Sequence, residues 1–437
     1  MKNTILIILA CLLAFTACDN EVDELFEQSS QERINDAKIE YKDILTSSEN
    51  GWVIEVIPGA ENKGAYSAYV TFNDDGKVYL STDFSPYDYE AEIDSSLYEI
   101  NYTQGMTIAF TTFSQMNYFS NPNNSGGTGL GGDVELLVKE ISDDKIVCEG
   151  KVNKGSFIFT KADTKSHIDA LNEVLKVEEA LIGKTYFSDY AFPVLQFEDG
   201  TKVSFIYDSY YRAVSTTEYK NTADGVEINK SILRVKFDKT GMSFIDSLEV
   251  DGNVVSRLDY NATDNSFKTP SDQSTAEFII SPLPPAEIAG VADAFINSKY
   301  GTISSYGKNF KAIMDPFSEL YPLFAEIQFS RYYSYSGITF KFKPNDYPYA
   351  KLKDNEITKM SESEIKFEFD TYVDKYSNMF KYHIEDRLTT PEGQAIMDVL
   401  FSDSGFSLFS EDNVNFTLVK KDDPTIWFMM YMSESGL

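Results

Sequence analysis

The chain has 437 residues with a net charge of −31, and 42% of it is hydrophobic. Such a chain has enough apolar material for two or three packed cores. Its negative field repels nucleic-acid phosphates and anionic lipid, which excludes a nucleic-acid-binding role resting on charge.

The N-terminus reads as a leader of residues 1–17. Lys2 gives the positive start, and Ile5 to Phe15 is an apolar run of 11 residues. A membrane-spanning helix needs roughly 20, so the run suits the core of a signal peptide. Thr16 and Ala17 then precede Cys18, in the manner of a bacterial lipobox with Phe15 where leucine is usual. Cleavage would leave Cys18 as an S-acylated first residue. Asp19, Glu21, Asp23, Glu24 and Glu27 follow, and residues 18–31 read as an acidic tether. An anchor of two or three acyl chains is enough to hold a protein on a membrane. Cys11 leaves with the leader, so Cys148 is the remaining thiol and no internal disulfide is expected.

Three regions follow. In 32–163, Ile34, Ala37, Tyr41, Ile44 and Leu45 recur at helical spacing, with Asn50-Gly51 as a stop. "GWVIEVIPG" is a strand, and Asp75-Gly76 between two β-rich runs marks a hairpin. Further strands are expected at 97–102, 106–113, 134–141, 146–152 and 156–160. In 164–284 a helix over 166–181 precedes the strands "KTYF", "PVLQFEDGTKVSFIY" and "SILRVKFDKTGMSFIDSLEVDGNVVSRLDY", with turns at Asp199-Gly200, Asp224-Gly225 and Asp251-Gly252. Phe72, Asp75, Gly76, Lys77 and Val78 find an echo in Phe197, Asp199, Gly200, Lys202 and Val203, which suggests a duplicated unit. The proline-rich "SPLPPAE" at 281–287 opens the last region, 285–437. It reads as a helix over 286–298, strands at 323–342 and 364–373, a helix capped by Thr390-Pro391-Glu392, and strands at 406–410, 414–420 and 425–432. The fold class is therefore α+β and β-rich, with antiparallel sheets in a barrel- or sandwich-like arrangement and short helices between them.

"NGWVIEVIPG" with "AYVTFNDDGKV", "SSLYEINYTQGMTIAFTTFSQMNYFSNP" and "GTGLGGDVELLVKEISDDKIVCEGKVNKGSFIFTKA" together resemble the Bacteroidota surface lipoproteins of domain-of-unknown-function family 4302. Gly51-Trp52 and Gly131-Gly132-Asp133 are the most recognisable points, and Asn117 stands where that family often has histidine. The resemblance implies an accessory role in outer-membrane uptake, beside a TonB-dependent transporter and its binding lipoprotein. It implies no catalytic residues.

Motifs for chemistry are sparse. The two histidines, His167 and His383, are far apart, which disfavours a zinc site or a histidine-dependent triad. Gly127, Gly129 and Gly132 match Gly-x-Gly-x-x-Gly, but a strand follows them instead of a helix. "NDDGK" lacks the distal glutamate of an EF-hand, Thr82 standing there. Asp246-Ser247-Leu248 fits a short O-glycosylation pattern. The candidate ligand-binding residues are Tyr210, Tyr211 and Arg212 in "YDSYYR" and Tyr332, Tyr333 and Tyr335 in "RYYSYSG", because tyrosines offer rigid contacts with a polar tip. No metal or other cofactor is expected. The reading is an outer-membrane, surface-exposed lipoprotein with a binding or accessory role in a nutrient-uptake system, its ligand open among glycan, peptide and metal complex. A carboxylate-dependent glycoside hydrolase and a structural adhesin are the alternatives.

Overall fold

The computed structural model describes residues 28–84, 91–123, 129–186, 188–222, 225–332, 335–343, 349–373 and 387–433. Cys11, Cys18, Gly127, Tyr333 and His383 lie outside the described residues.

Helix α1 (Ser30–Thr46) opens with a capping box, in which Ser29 and Glu32 satisfy each other's exposed donors. It stops at Ser47, short of the expected Asn50-Gly51. Gly51 instead takes φ +76 at the entry to the first strand. Eight strands then form a closed antiparallel meander: β1 (Trp52–Ile57), β2 (Tyr66–Phe72), β3 (Lys77–Thr82), β4 (Asp94–Tyr102), β5 (Met106–Phe110), β6 (Glu135–Ile141), β7 (Lys145–Gly150) and β8 (Ser156–Lys161). Strand β8 closes on β1 with Trp52 opposite Lys161. Alternation puts Trp52, Ile54 and Val56 of β1 inside, with Tyr66, Ala68, Val70 and Phe72 of β2. Eight strands enclose a space that side chains can fill, and here Trp52, Phe72, Phe157 and Phe159 fill it. A short helix, α2 (Met116–Ser120), lies between β5 and β6 and buries Met116 and Phe119.

Helix α3 (His167–Tyr186) leads into a second closed meander: β9 (Phe192–Phe197), β10 (Lys202–Asp208), β11 (Ala213–Thr222), β12 (Gly225–Asp238), β13 (Gly241–Val250), β14 (Asn253–Asn261), β15 (Ser266–Lys268) and β16 (Ala276–Ser281). The expected strand "KTYF" is instead the last turn of α3, up to Tyr186. Gly183 does not stop this helix, since Leu181 beside it is buried in the second core. Asp251 and Gly252 both take positive φ between β13 and β14, as a two-residue hairpin turn requires.

Helix-then-meander thus occurs twice, but the shared sequence motif does not align the two copies. Asp75-Gly76 turns β2 into β3, whereas Asp199-Gly200 turns β9 into β10, the first hairpin of its barrel. What recurs is the chemistry of a tight turn.

The remaining chain builds one ten-stranded sheet. Its elements are α4 (Val291–Asn297), β17 (Tyr300–Tyr306), α5 (Lys308–Leu320), β18 (Phe324–Tyr332), β19 (Tyr335–Phe342), β20 (Tyr349–Leu352), β21 (Thr358–Ser361), β22 (Glu364–Lys366), β23 (Phe369–Val373), α6 (Pro391–Leu400), β24 (Phe406–Phe409), β25 (Asn415–Lys420) and β26 (Trp427–Ser433). The strand order is β21-β22-β24-β25-β26-β17-β18-β19-β20-β23. Only Phe367 and Glu368 separate β22 from β23, which lies at the opposite edge, so the sheet curls until its ends approach. Phe295 of α4, Phe310 and Phe317 of α5 and Ile396 of α6 join the core of this sheet. The expected helix over 286–298 begins only at Val291, because Gly290 at its N-cap takes φ +77. Thr390 caps α6 as its sequence indicates, accepting from the Gly393 amide.

Arg257 ties the second barrel's hairpins at the surface through Asp238 and Asp259. Burial alone raises the Asp238 carboxyl, but hydrogen bonds from Arg257 and Thr240 outweigh it and hold the pKa at about 2. A lowered acid stabilises the fold above its unfolded pKa and loses that contribution as the pH falls through the folded value. Asp238→Asn is therefore expected to flatten the acid limb between about pH 4 and pH 2 by no more than about 1 kcal/mol, since the Asp238 side chain is half exposed. Urea melts across that range check it.

Candidate functional site

"YDSYYR" closes the β10–β11 turn. The Asp208 carboxylate accepts from the Tyr210 and Tyr211 amides and folds the turn back. The turn then inserts against the first barrel. Tyr66 donates its hydroxyl to the Tyr210 carbonyl at 2.8 Å, and Tyr210 meets Phe84 edge-on. The Lys63 ammonium sits 3.0 Å from the centre of the Tyr211 ring. Gly64 donates to the Tyr211 carbonyl and Ala65 to the Val235 carbonyl, so backbone hydrogen bonds join the two barrels. A Cβ on Gly64 would lie 2.2 Å from the Arg212 and Val235 carbonyl oxygens, so glycine is required at this approach.

Arg212, expected on a binding surface, is interior, with 1% of its surface exposed. Its guanidinium bridges Asp83, which follows β3, and Glu178 on α3. Nη1 donates to Asp83 Oδ2 at 2.7 Å and Nη2 to Glu178 Oε2 at 2.6 Å. Nη2 also reaches the Asp83 carbonyl, and Nη1 the Ala65 carbonyl. The Tyr66 ring lies beneath at 4.7 Å, and the Tyr207 hydroxyl donates to Glu178. Burial pushes the Asp83 carboxyl up, and the Arg212 charge opposes that push. Burial also works against the charged guanidinium, but Asp83 and Glu178 outweigh it and hold it firmly protonated. Tyr210, Tyr211 and Arg212 are thus parts of the barrel–barrel junction. Their sequence signal, aromatics beside an arginine, is shared by ligand platforms and buried joints alike.

The second tyrosine cluster lies at the tip of the β18–β19 hairpin, where Tyr332 pairs with Tyr335. Arg331 donates to the Ile296 carbonyl at 2.6 Å and ties the hairpin to the end of α4.

The segments that carried the family resemblance perform structural work. Trp52 is fully buried and donates its indole N–H to the Leu45 carbonyl at 2.8 Å, fastening α1 to the barrel. His167 is half-buried, stacks near Tyr69 and contacts the Asn50 carbonyl at 2.7 Å. The Asp133 carboxylate accepts from the Val152 and Asn153 amides, and the Asn153 side chain returns a bond to the Gly132 carbonyl. A Cβ on Gly150 would fall 2.0 Å from that carboxylate. Asn117 caps the entry to α2 by accepting from the Ser114 amide. The Gly129–Gly132 loop runs into β6 without a helix, so no helix N-terminus meets a phosphate there. Among the described residues, no group of three or more histidine, cysteine, aspartate or glutamate side chains could hold a metal ion.

Cys148 is a buried free thiol, and burial pushes its pKa up to about 12. Alkylation at this site, followed by peptide mass spectrometry, is expected to be negligible in the folded protein and rapid in denaturant.

A cleft of about 280 Å³ opens where the second barrel meets the curled sheet. Phe192, Ser204 and Ile206 line it from the barrel, and Phe409, Glu411 and Thr417 from the sheet. These residues are dispersed over four strands and a turn and form no motif, so sequence reading did not find them.

A comparison with curated proteins finds none that matches. Among solved structures, DNA polymerase III subunit beta from Borrelia burgdorferi, in complex with a natural product, aligns over 93% of this chain and 98% of its own at 11% identity. The TM-score is 0.14, too low to carry an argument. The family model described as "Domain of unknown function (DUF4302)" matches residues 22–262, a span that includes the first barrel and runs through β14 of the second. On that match, which spans more than half of its length, the chain belongs to the DUF4302 family.

Proposed function

We propose that this chain is a lipid-anchored protein of the bacterial outer membrane, exposed at the cell surface, with a binding or accessory role in nutrient uptake. One observation carries the reading: an apolar run of leader length ends at Cys18, and an acidic segment follows. A TonB-dependent transporter and its binding lipoprotein are the partners this reading implies.

The test is Cys18→Ser in the native host. The variant is expected to leave the membrane fraction, and the parent to be shaved from intact cells by added protease. A variant that stays in the membrane, or a parent that protease cannot reach, would overturn the reading.

A further inference from the structure

We propose that the curled sheet and its helices form a hinged third unit, which swings on Gly290 as one body against a rigid pair of barrels and so opens and closes the cleft beside the second barrel. This goes beyond the anchoring reading and does not rest on it.

The two joints of the chain are built differently. At the first, α3 is a shared strut. Its Leu171 and Leu175 pack with Tyr69 of the first barrel and with Ala91, while Val174, Val177 and Leu181 enter the second core. Backbone hydrogen bonds from Gly64 and Ala65 cross this joint, and the Arg212 ion pairs lie buried inside it. Tyr210 and Tyr211 of the second barrel pack against the core of the first. Rotation here would break all of these together and strand buried charge.

The second joint is held by side chains around a hollow. Val419, Phe409 and Trp427 of the third unit meet Phe192 and Val194 of the second barrel. The Phe409 ring stands edge-on to Phe192 at 5.4 Å and to Tyr219 at 5.8 Å. At the margin, Glu411 accepts from the Tyr219 hydroxyl and pairs with Lys230, and Lys308 pairs with Asp189 at 2.8 Å. Both lysine side chains are more than half exposed, and such pairs are weak and screened by salt. The cleft of about 280 Å³ interrupts the contact where a rigid joint would be filled. Units that meet through a limited, partly polar contact move relative to one another.

The connection between them is suited to a pivot. Pro282, Pro284 and Pro285 stiffen the arm that leaves β16. Gly290 ends the arm at the N-cap of α4 with φ +77, and a Cβ there would meet nothing within 4 Å. A glycine in open space changes its backbone angles without collision. Beyond it the third unit has its own core, drawn from residues 291–432, so it can turn whole.

The experiment is pulsed electron-spin distance measurement on the full chain, with Cys11→Ser and Cys18→Ser, the buried Cys148 being too protected to label. Val152, Val254, Leu320 and Met360 are exposed and carry the labels after substitution by cysteine. The pair Val152→Cys with Val254→Cys spans the first joint, and Val254→Cys with Leu320→Cys spans the second. Leu320→Cys with Met360→Cys lies within the third unit and reports its internal motion. The distance distribution across the second joint is expected to be at least about twice as wide as the other two. Equal widths across the two joints would overturn the proposal. A distribution within the third unit as wide as that across the second joint would also overturn it, because the unit would then be loose in itself instead of turning whole.

Discussion

Arg212→Met is expected to destabilise the protein by about 3–5 kcal/mol in urea unfolding. Methionine preserves much of the apolar stem, so the loss comes mainly from charge. Asp83 and Glu178 would remain in the junction without their shared cation. Lysine is not expected to rescue, because one ammonium cannot replace a planar fork that reaches two carboxylates and two carbonyls. The deficit should also depend on pH. Burial already raises the Asp83 pKa, and removing Arg212 raises it further. The folded variant then binds protons more readily than its unfolded chain, so its stability rises as the pH falls and the gap from the parent narrows in acid. Adding Asp83→Asn and Glu178→Gln to the variant should recover part of the loss at neutral pH. A deficit that is constant with pH and indifferent to those two changes would show that packing, and not uncompensated charge, dominates.

Trp52→Ala is expected to cost about 3–5 kcal/mol by removing the largest side chain from the first barrel. A second consequence separates this site from an ordinary cavity. The Leu45 carbonyl at the end of α1 loses its indole donor, so the helix should detach before the barrel melts. Hydrogen exchange over Ser30–Thr46 should rise well above that of β7 and β8. Trp52→Phe should keep most of the packing but lose the helix protection. Equal protection of α1 in parent and phenylalanine variant would refute this account of the anchor.

Strand signals were the most legible part of this chain. Alternation in "WVIEVI" and "YSAYVTF" and the turns at Asp75-Gly76, Asp199-Gly200 and Asp251-Gly252 were read correctly, because side-chain period and turn geometry are local properties. The barrel- or sandwich-like class was legible and two closed barrels are found, but the strand pairs that close them were not, since pairing of Trp52 with Lys161 is a contact across more than 100 residues. Helix α5 was not expected, although Phe310, Met314 and Phe317 form a helical stripe that packs into the core around the internal Pro316. The junction was misread for a different reason. Sequence shows Arg212 beside two tyrosines, but nothing nearby announces Asp83 or Glu178, which fold brings in from 129 and 34 residues away. The cleft shares that difficulty, its floor being assembled from β9, β10 and the segments around β24–β26.

The order of strands in the curled sheet bears on how the protein is made. Strand β17 pairs on one side with β18, which follows it soon after, and on the other with β26 at the end of the chain. A nascent chain leaving the ribosome can complete both barrels while β17 still has an open flank. That flank stays available to a wrong neighbour until Trp427–Ser433 emerges, and a message truncated shortly before this point would release a protein with two finished barrels and an adhesive unfinished third unit.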